Sequence, residues 1–515
     1  MRGPQARGSV TQALAPLAAL LSTLEERALL VEPMSVVEMA TALAATMRGV
    51  ARHALELVLD QAARAQVGQQ PCKCGQMASS SGFEKTHYIG RFGKVPIERR
   101  RFVCACGVSG FPFDAAWQLP AGEYSDDVRE VTERMALRNT FEEAVIEVNH
   151  FWGVAPDATT AKRWVGQDGP RAASAVRADA DASWARYAAQ GGAAPAADHP
   201  DSRRHPGFGV VEVDGVHAVT WKPGLEPRRK QQPAVALPAC DAPAATGIGD
   251  AVVAGEREDR HLPPSTLSSI AGSPMGPTGR SPRVHGREVL VGLTYVGENA
   301  CEESPGRGAL LHRRYVSTLD DREGFWTDLH AAVTSEGALA REKLVRVTDG
   351  GAHIIERTDE LFAGEPLVPV LDCQHAKQHI WDAGHQLASG SDVPDWVLPR
   401  TRSLMDGNVE TVIAGLADER ARHTRGKKAK ALDALSGYLG RHKHMMNYPA
   451  YAAAGFPIAS AAIESANKRL VSRRCKQGGM IWSEPGLEAM IAVRVAFHNP
   501  QTWEGLWPHL GEGAP

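Results

Sequence analysis

The sequence predicts a mixed α/β protein, and three apolar runs together with one long helical stretch are the basis of that prediction. The runs GFGVVEVDG (207–215) and KLVRVTDGG (343–351) are rich in β-branched residues and end in an Asp-Gly turn signal. A third apolar run, LVPVLDCQH (367–375), follows the helical stretch HIIERTDELF. From 376 to 455 the chain carries helical periodicity and much charge, so we predict an all-helical insertion within the α/β core.

Three carboxylates stand where a predicted strand ends or a predicted helix begins: Asp214, Asp349 and Glu464. The carboxyl ends of parallel strands meet at one edge of a sheet, so Asp214 and Asp349 could share a cation. Glu464 falls in the first turn of a predicted helix with Ser460 as N-cap. Such acids are ligands that Mg²⁺ prefers, and a two-metal site of this kind serves phosphoryl transfer. Taken singly, each acid also fits a structural role in a turn or at a helix N-terminus.

A family resemblance follows from the DGG after Val347-Thr348, the DxxH spacing of Asp372 and His375, and the block ESANKRLVSRRCKQGGMIWSEPGLEAMIAVR. Together these resemble the ISKra group of bacterial insertion-sequence transposases, within the wider DDE class. The Asp372-to-His375 spacing is also similar to the (C/D)xxH signature of Mutator-like relatives. The resemblance covers most of residues 70–510. It implies an RNase H-like catalytic domain in which a helical insertion precedes the last acid.

The resemblance implies a DDE transposase that binds the terminal inverted repeats of an insertion sequence and catalyses Mg²⁺-dependent DNA strand cleavage and strand transfer. Asp214, Asp349 and Glu464 would be the catalytic residues and hold two Mg²⁺ ions, and Asp372 and His375 would support them. Two alternatives stay open. An RNase H-like structure-selective nuclease would use the same acids without joining strands, and a non-catalytic transposase-derived protein would only bind DNA.

Four cysteines form two matching motifs, Cys72 and Cys74 in CKCG and Cys104 and Cys106 in CACG. The segment between them is typical of two strands joined by a Gly-containing turn. Two such pairs can supply the four thiolates of one structural Zn²⁺, so we predict a zinc ribbon over 67–118. The alternative in a reducing cytosol is four free thiols.

Residues 119–190 contain three short predicted helices with helix-turn-helix spacing. ATTAKRWV is the candidate recognition helix, with Lys162 and Arg163 facing DNA. A plain helical bundle fits this region as well. Residues 1–66 contain amphipathic helical stretches that could pack on the core or on a second subunit.

The net charge of the chain is only −3, but its distribution favours a polyanionic partner. Residues 401–480 contain fourteen Lys and Arg against six Asp and Glu, a net charge of +8. Clustered cations bind phosphates by releasing condensed counterions, so double-stranded DNA is the predicted partner. The residues predicted to contact it here are Arg425, Lys427, Lys428, Lys468, Arg469, Arg473, Arg474 and Lys476.

The length of 515 residues suggests about three domains. We place the catalytic domain at 205–515, after an Ala-rich linker, and expect disorder or a loose surface excursion in the Pro-, Gly- and Ala-rich insertion 223–285. No apolar run approaches the roughly 18 residues of a membrane span, and no signal peptide is evident. The expected location is the cytoplasm, on the nucleoid, as a homodimer or higher oligomer on DNA.

Overall fold

The computed structural model describes residues 14–29, 35–120, 122–189, 207–221, 284–304, 307–423 and 425–508. The insertion predicted at 223–285 lies outside the described residues, except for its last two, which begin a strand. Most of the predicted linker before residue 207 also lies outside them.

The described part up to residue 189 contains a small sheet between two helical regions. Its helices are α1 (Ala15–Leu29), α2 (Val36–Ala65), α3 (Pro112–Ala116), α4 (Asp126–Ala136), α5 (Phe141–Trp152) and α6 (Ala158–Ala189). Its strands are β1 (Gln70–Pro71), β2 (Met77–Gly90), β3 (Gly93–Val103) and β4 (Ser109–Gly110), antiparallel and in sequence order. Leu59 and Ala63 of α2 pack against Val95 and Ile97 of β3, which attaches the sheet to the helix.

The part from residue 207 is the α/β core with its helices. Its strands are β5 (Phe208–Trp221), β6 (Val284–Val296), β7 (Ala300–Ser304), β8 (Arg307–Leu310), β9 (Arg314–Thr318), β10 (Lys343–Thr348), β11 (Leu367–Leu371) and β12 (Trp482–Ser483). Its helices are α7 (Arg322–Ser335), α8 (Ala352–Leu361), α9 (Cys373–Leu387), α10 (Asp392–Met405), α11 (Val409–Arg422), α12 (Lys427–His442), α13 (Tyr448–Ala453), α14 (Ala461–Asn467), α15 (Arg473–Cys475), α16 (Glu484–His498) and α17 (Pro500–Leu506). Short 3-10 turns cover Gly297–Asn299, Ala338–Ala340 and Lys443–Met445, and a π-helical turn covers Lys468–Ser472.

The main sheet has the strand order β11-β10-β5-β6-β9, and β12 pairs with the end of β5. β5, β6 and β9 are antiparallel neighbours, whereas β10 and β11 run parallel to β5. Because side chains alternate along a strand, β5 points Val211 and Val213 towards α7 and Val210 towards the opposite, larger core. Glu212 and Asp214 therefore share the face of Val210.

The stretch 376–455, predicted to be helical, is formed by α9 to α13 and packs on that larger core. Buried leucines such as Leu404, Leu416, Leu432 and Leu439 supply its apolar interior. This helical segment lies between β11 and α14 in the chain, so it precedes Glu464, as predicted.

The prediction of a third short helix in the helix-turn-helix region is wrong, because α6 continues for 32 residues through Gly166, Gly169 and Pro170. Tertiary packing outweighs the low helix propensity of the glycines. At Gly169 a Cβ would lie 2.5 Å from the Cα of Ala489, so the absence of a side chain lets α6 lie directly on α16. The recognition helix proposed from sequence is thus the first part of a long helix docked on the core.

Within the ranges that the structure describes, none of the helices combines the length and apolar character that a membrane span requires.

Candidate active site

Asp214 and Asp349 lie side by side on neighbouring parallel strands. The last registered pair of β5 and β10 is Glu212 with Val347, and two residues further along both strands come Asp214 and Asp349. Burial raises the pKa of the Asp214 carboxyl, and the negative charge of Asp349 adds to that shift. The two carboxylates predicted to share a cation therefore repel each other at one edge of the sheet.

Asp349 and Asp214 occupy different positions relative to their strands. The prediction that β5 ends at Asp214 is wrong. Asp349 follows the last residue of β10, as predicted, and its Oδ1 accepts a hydrogen bond of 2.9 Å from Gly351 N. β5, however, does not end at Asp214 but runs on to Trp221. The reason is that β6 pairs with β5 along its whole length, so the Asp-Gly step lies inside a ladder and not in a turn.

Asp372 extends the row of acids to a third strand, because the β10–β11 register places it beside Asp349. It is fully buried, and its Oδ1 accepts a hydrogen bond of 2.7 Å from Gln374 N. Its Oδ2 accepts from His375 Nδ1 at 2.9 Å and from the Ser460 hydroxyl. Burial opposes ionisation, but these hydrogen bonds outweigh it and lower the pKa of Asp372. Its carboxylate thus orients His375 and holds Ser460 in place.

His375 is the neighbour that the acids have in common. Because a carboxylate only accepts, Nδ1 of His375 carries the proton that it shares with Asp372, which leaves Nε2 for another partner. The side chain is 45 % exposed. The hydrogen bond to Asp372 raises the pKa of His375, and the charges of Asp372, Asp349 and Glu464 raise it further. The imidazole is therefore held at the accessible side of the acidic row.

Glu464 is exposed on α14 and lies nearer to the DxxH pair than the sequence suggests. One ligand atom each of Asp372, His375 and Glu464 lie within 4.8 Å of one another, a group that could hold a metal ion. Asp214 and Asp349 are outside this group. The sequence predicted Glu464 as a partner of Asp214 and Asp349, whereas the structure brings it first to Asp372 and His375.

Three contacts attach α14 to the strands that carry the acids. Ser460 stands at the predicted N-cap position, but its hydroxyl donates to Asp372 and makes no capping bond. The backbone N of Ile463 donates instead to Oε2 of Glu212, at 3.1 Å. At the other end of α14, Asn467 Nδ2 donates to Oδ2 of Asp214 at 2.6 Å.

Sequence reasoning missed Glu212 and Asn467, although both left a signal. Asn467 follows Glu464 by three residues, so both lie on one face of a helix. Glu212 precedes Asp214 by two residues, so both point to one face of the strand. Glu212 is 0 % exposed, and burial raises its pKa to about 8. A glutamate in an otherwise apolar buried strand indicates that its carboxyl group has a hydrogen-bond partner in the core.

The helical segment also reaches the site. Tyr438 of α12 donates from its hydroxyl to the backbone oxygen of Asp349 at 3.1 Å. His442, one turn further along α12, lies against Gly350 and donates from Nδ1 to the Tyr438 oxygen at 3.0 Å. α12 thus supports the turn that presents Asp349.

Most of the cations predicted to contact DNA are on the surface. Arg469 is half-buried, and the exposed ones are Lys162, Arg163, Arg425, Lys427, Lys428, Lys468, Arg473 and Lys476. Lys468 and Arg469 lie in the π-helical turn and Arg473 follows it, so these cations continue the helical arm that begins with α14 and Glu464.

The prediction that Arg474 contacts DNA is wrong, because its side chain is only 1 % exposed. Its Nε donates to the backbone oxygen of Ala136 at 2.7 Å. Its guanidinium lies 5.0 Å from the ring centre of Phe141 and 4.9 Å from that of Trp482. Arg474 therefore connects the α4–α5 region to the core, and helical periodicity explains why it points inward while Arg473 points outward.

The four patterned cysteines come together at the end of the β2–β3 hairpin. The Sγ atoms of Cys72 and Cys106 are 3.7 Å apart, and those of Cys74 and Cys104 are 3.6 Å apart. These distances match the edge of about 3.8 Å in a tetrahedron with metal–sulfur bonds of about 2.3 Å. The cluster could therefore hold a metal ion.

Both cysteine motifs form the same turn. Gly75 N donates to the Cys72 oxygen at 2.9 Å, and Gly107 N donates to the Cys104 oxygen at 3.0 Å. The two glycines have φ of +86° and +87°, which explains why each CxC motif continues with glycine.

Compared with known proteins, the chain matches no family model, and no curated protein shows significant similarity to it. The functional assignment therefore depends on the geometry of the acids, His375 and the surface cations.

Proposed function

We propose that the protein is a DDE transposase that binds the terminal inverted repeats of an insertion sequence and catalyses DNA strand cleavage and strand transfer. The observation that carries this proposal is the row of Asp214, Asp349 and Asp372 on three adjacent parallel strands, with Glu464 brought to its side by a helix that follows an all-helical segment. The strand order, an antiparallel β9-β6-β5 unit extended by two parallel strands, supports an RNase H-like core.

The donor set fits Mg²⁺. Asp214 and Asp349 offer hard anionic oxygens, and their mutual repulsion is what a divalent cation would relieve. Asp214, Asp349 and Glu464 would hold two ions. When bound, Mg²⁺ would supply Lewis-acid activation of the attacking oxygen and stabilisation of the leaving oxygen in an in-line displacement at phosphorus.

The side chains around the acids would hold DNA in place for that displacement. Exposed Lys468 and Arg473 follow Glu464 on the same helical arm and would bind backbone phosphates near the scissile bond. His375 would donate from Nε2 to a phosphate oxygen, with Asp372 fixing the orientation of the ring. Water would attack first, and the freed 3′-hydroxyl would attack target DNA next, so no covalent enzyme intermediate is required.

The test uses the DNA that flanks the coding region, where imperfect inverted repeats are expected. Purified protein, Mg²⁺, labelled flanking DNA and a target plasmid should give strand breaks at the repeat ends and joined products. Because both ends must be joined to one target, the active species is expected to be a homodimer or higher oligomer on double-stranded DNA in the cytoplasm. Breaks without joining would favour an RNase H-like nuclease, and binding without breaks would contradict catalysis.

His375→Ala is expected to slow strand cleavage and transfer by about a hundredfold, because removing one positioned hydrogen-bond donor to the developing charge costs about 10²–10³-fold. Folding should be near normal, since the side chain is about half exposed. Single-turnover rates at saturating Mg²⁺ measure the effect. His385→Ala, an exposed histidine on the same helix, is the control. Unchanged rates in His375→Ala would make the DxxH motif purely architectural.

The double variant Cys72→Ser, Cys104→Ser is expected to lose about one Zn²⁺ per chain and to bind end DNA more weakly, since one thiolate is removed from each turn. Metal analysis of the purified protein measures the first effect and a binding titration the second. Lys73→Ser with Ala105→Ser changes the same two turns without touching a thiolate and should retain zinc. Wild-type protein purified without chelators and free of zinc would end the zinc hypothesis.

A further inference from the structure

We infer that Glu212 is a positioning residue that holds α14, and with it Glu464, in place by capping the helix from the central strand. The inference deepens the proposed function and rests on it for the role of Glu464. Glu212 is not a metal ligand or a catalytic residue in this account, since it is completely buried beneath the acidic row.

The first N–H groups of a helix have no partner inside the helix. In α14 the usual solution is absent, because the N-cap side chain, Ser460, donates to Asp372. Ile463 is the third residue of α14 and is 2 % exposed, so water cannot satisfy its N–H. Oε2 of Glu212 accepts that N–H at 3.1 Å. A residue 251 positions away therefore performs the capping role.

Apart from this contact, a glutamate at position 212 is unfavourable for folding. β5 is the central strand of the sheet, and the neighbouring positions Val210 and Val213 are buried and apolar. A carboxyl group at such a position costs folding free energy that a valine would not cost. The Tyr295 side chain interacts with the same carboxyl group. The contacts to Ile463 and Tyr295 compensate for part of this cost, and the contact to Ile463 lies one residue from Glu464.

Because α14 is short, its position depends on the contact between Glu212 and Ile463. A helix of seven residues is too short to be stable by itself, so its place depends on external contacts. Asn467 anchors its C-terminal end to Asp214, and Glu212 anchors its N-terminal turn. Without the second anchor, the turn that carries Glu464 would fray, and the 4.8 Å grouping with Asp372 and His375 would be lost.

The test compares Glu212→Gln, Glu212→Leu and Glu212→Asp in the full-length protein. Glutamine keeps an acceptor oxygen at the same reach, leucine removes the acceptor, and aspartate withdraws it by one methylene. Amide hydrogen exchange of the segment 459–467, measured by mass spectrometry, reports the position of α14 directly. We expect exchange in Glu212→Leu and Glu212→Asp to be roughly tenfold faster, as for a lost N-cap, and wild-type exchange in Glu212→Gln.

Thr294→Val is the matched control. Thr294 is equally buried on β6, and its hydroxyl donates to the Val210 oxygen, so the variant removes one buried hydrogen bond from the same sheet without touching α14. Exchange of 459–467 should be unchanged in this variant. Acceleration there equal to that in Glu212→Leu would overturn the inference, as would unchanged exchange in both Glu212→Leu and Glu212→Asp.

The second readout is Mg²⁺-dependent cleavage, expected to fall about a hundredfold in Glu212→Leu and Glu212→Asp and to be rescued in Glu212→Gln, because a misplacement of about 1 Å can cost that much. End-DNA binding should be unchanged in all three. If the wild-type protein cleaves no DNA, the proposed function fails while hydrogen exchange still decides the role of Glu212. Failure of Glu212→Gln to restore exchange would contradict the capping role.

Discussion

Asp349→Ala is expected to lower Mg²⁺-dependent strand cleavage by about a thousandfold or more, since Lewis-acid stabilisation worth several kcal/mol is lost with a metal ligand. Binding of end DNA should stay within a few-fold of wild type, because the acid would serve a metal and not a phosphate. Of the three acids, Asp349 gives the test that is easiest to interpret. It follows its strand, is half-buried, and its loss leaves the contacts of α14 intact.

Asp214→Ala and Glu464→Gln are expected to have the same effect on cleavage. Asp214→Ala also deprives Asn467 of its partner, so its stability must be checked by thermal unfolding. Glu360→Ala serves as the control, because this acid follows the same strand on α8, has a side chain 66 % exposed and pairs with Arg357. Cleavage retained by any of the three acid variants would remove that residue from the site.

Gly169→Ala is expected to destabilise the protein by about 1–3 kcal/mol, because overpacking a tight contact costs that much. The new Cβ would lie 2.5 Å from both the Cα and the Cβ of Ala489, and the Cα cannot move without displacing α16. The midpoint of thermal unfolding measures the change, and loss of end-DNA binding should accompany it at temperatures near that midpoint.

Gly166→Ala is the matched control on the same helix. Gly166 is exposed, and a Cβ there would meet no heavy atom within 4 Å. Alanine is favoured over glycine in a helix interior by about 1 kcal/mol, so this variant should be more stable than wild type. Two glycine-to-alanine changes three residues apart should thus have opposite signs. A stabilising Gly169→Ala would mean that α6 and α16 are not in close contact.

The acids could be predicted because their signals are local. Apolar runs ending in Asp349 and Asp372 give strands and their ends, and chain order then makes those strands neighbours, as the β10–β11 pairing confirms. The position of Glu464 could not be predicted, since it depends on contacts from Ser460, Ile463 and Asn467 to β5 and to the residue that follows β11. Nothing in the local pattern of the α14 segment indicates which strand residues receive them.

Arg474 and the end of β5 show the limits of local pattern in the other direction. The run KRLVSRR indicates surface cations, but tertiary packing places Arg474 between Phe141 and Trp482. Asp-Gly indicates a turn, but pairing with β6 carries β5 to Trp221. In both cases a partner distant in the chain overrides the intrinsic preference of the segment.

The length of α6 has a mechanical meaning. At 1.5 Å per residue its 32 residues span about 48 Å, and Gly169 fixes the helix to α16 about two turns after Lys162 and Arg163. The short arm that carries Lys162 and Arg163 is continuous with the part of α6 that packs on α16. Under the proposed function, the number of residues in α6 would set the spacing between two DNA contacts. These are the recognised DNA sequence at Lys162 and Arg163 and the phosphate that is cut at the acids.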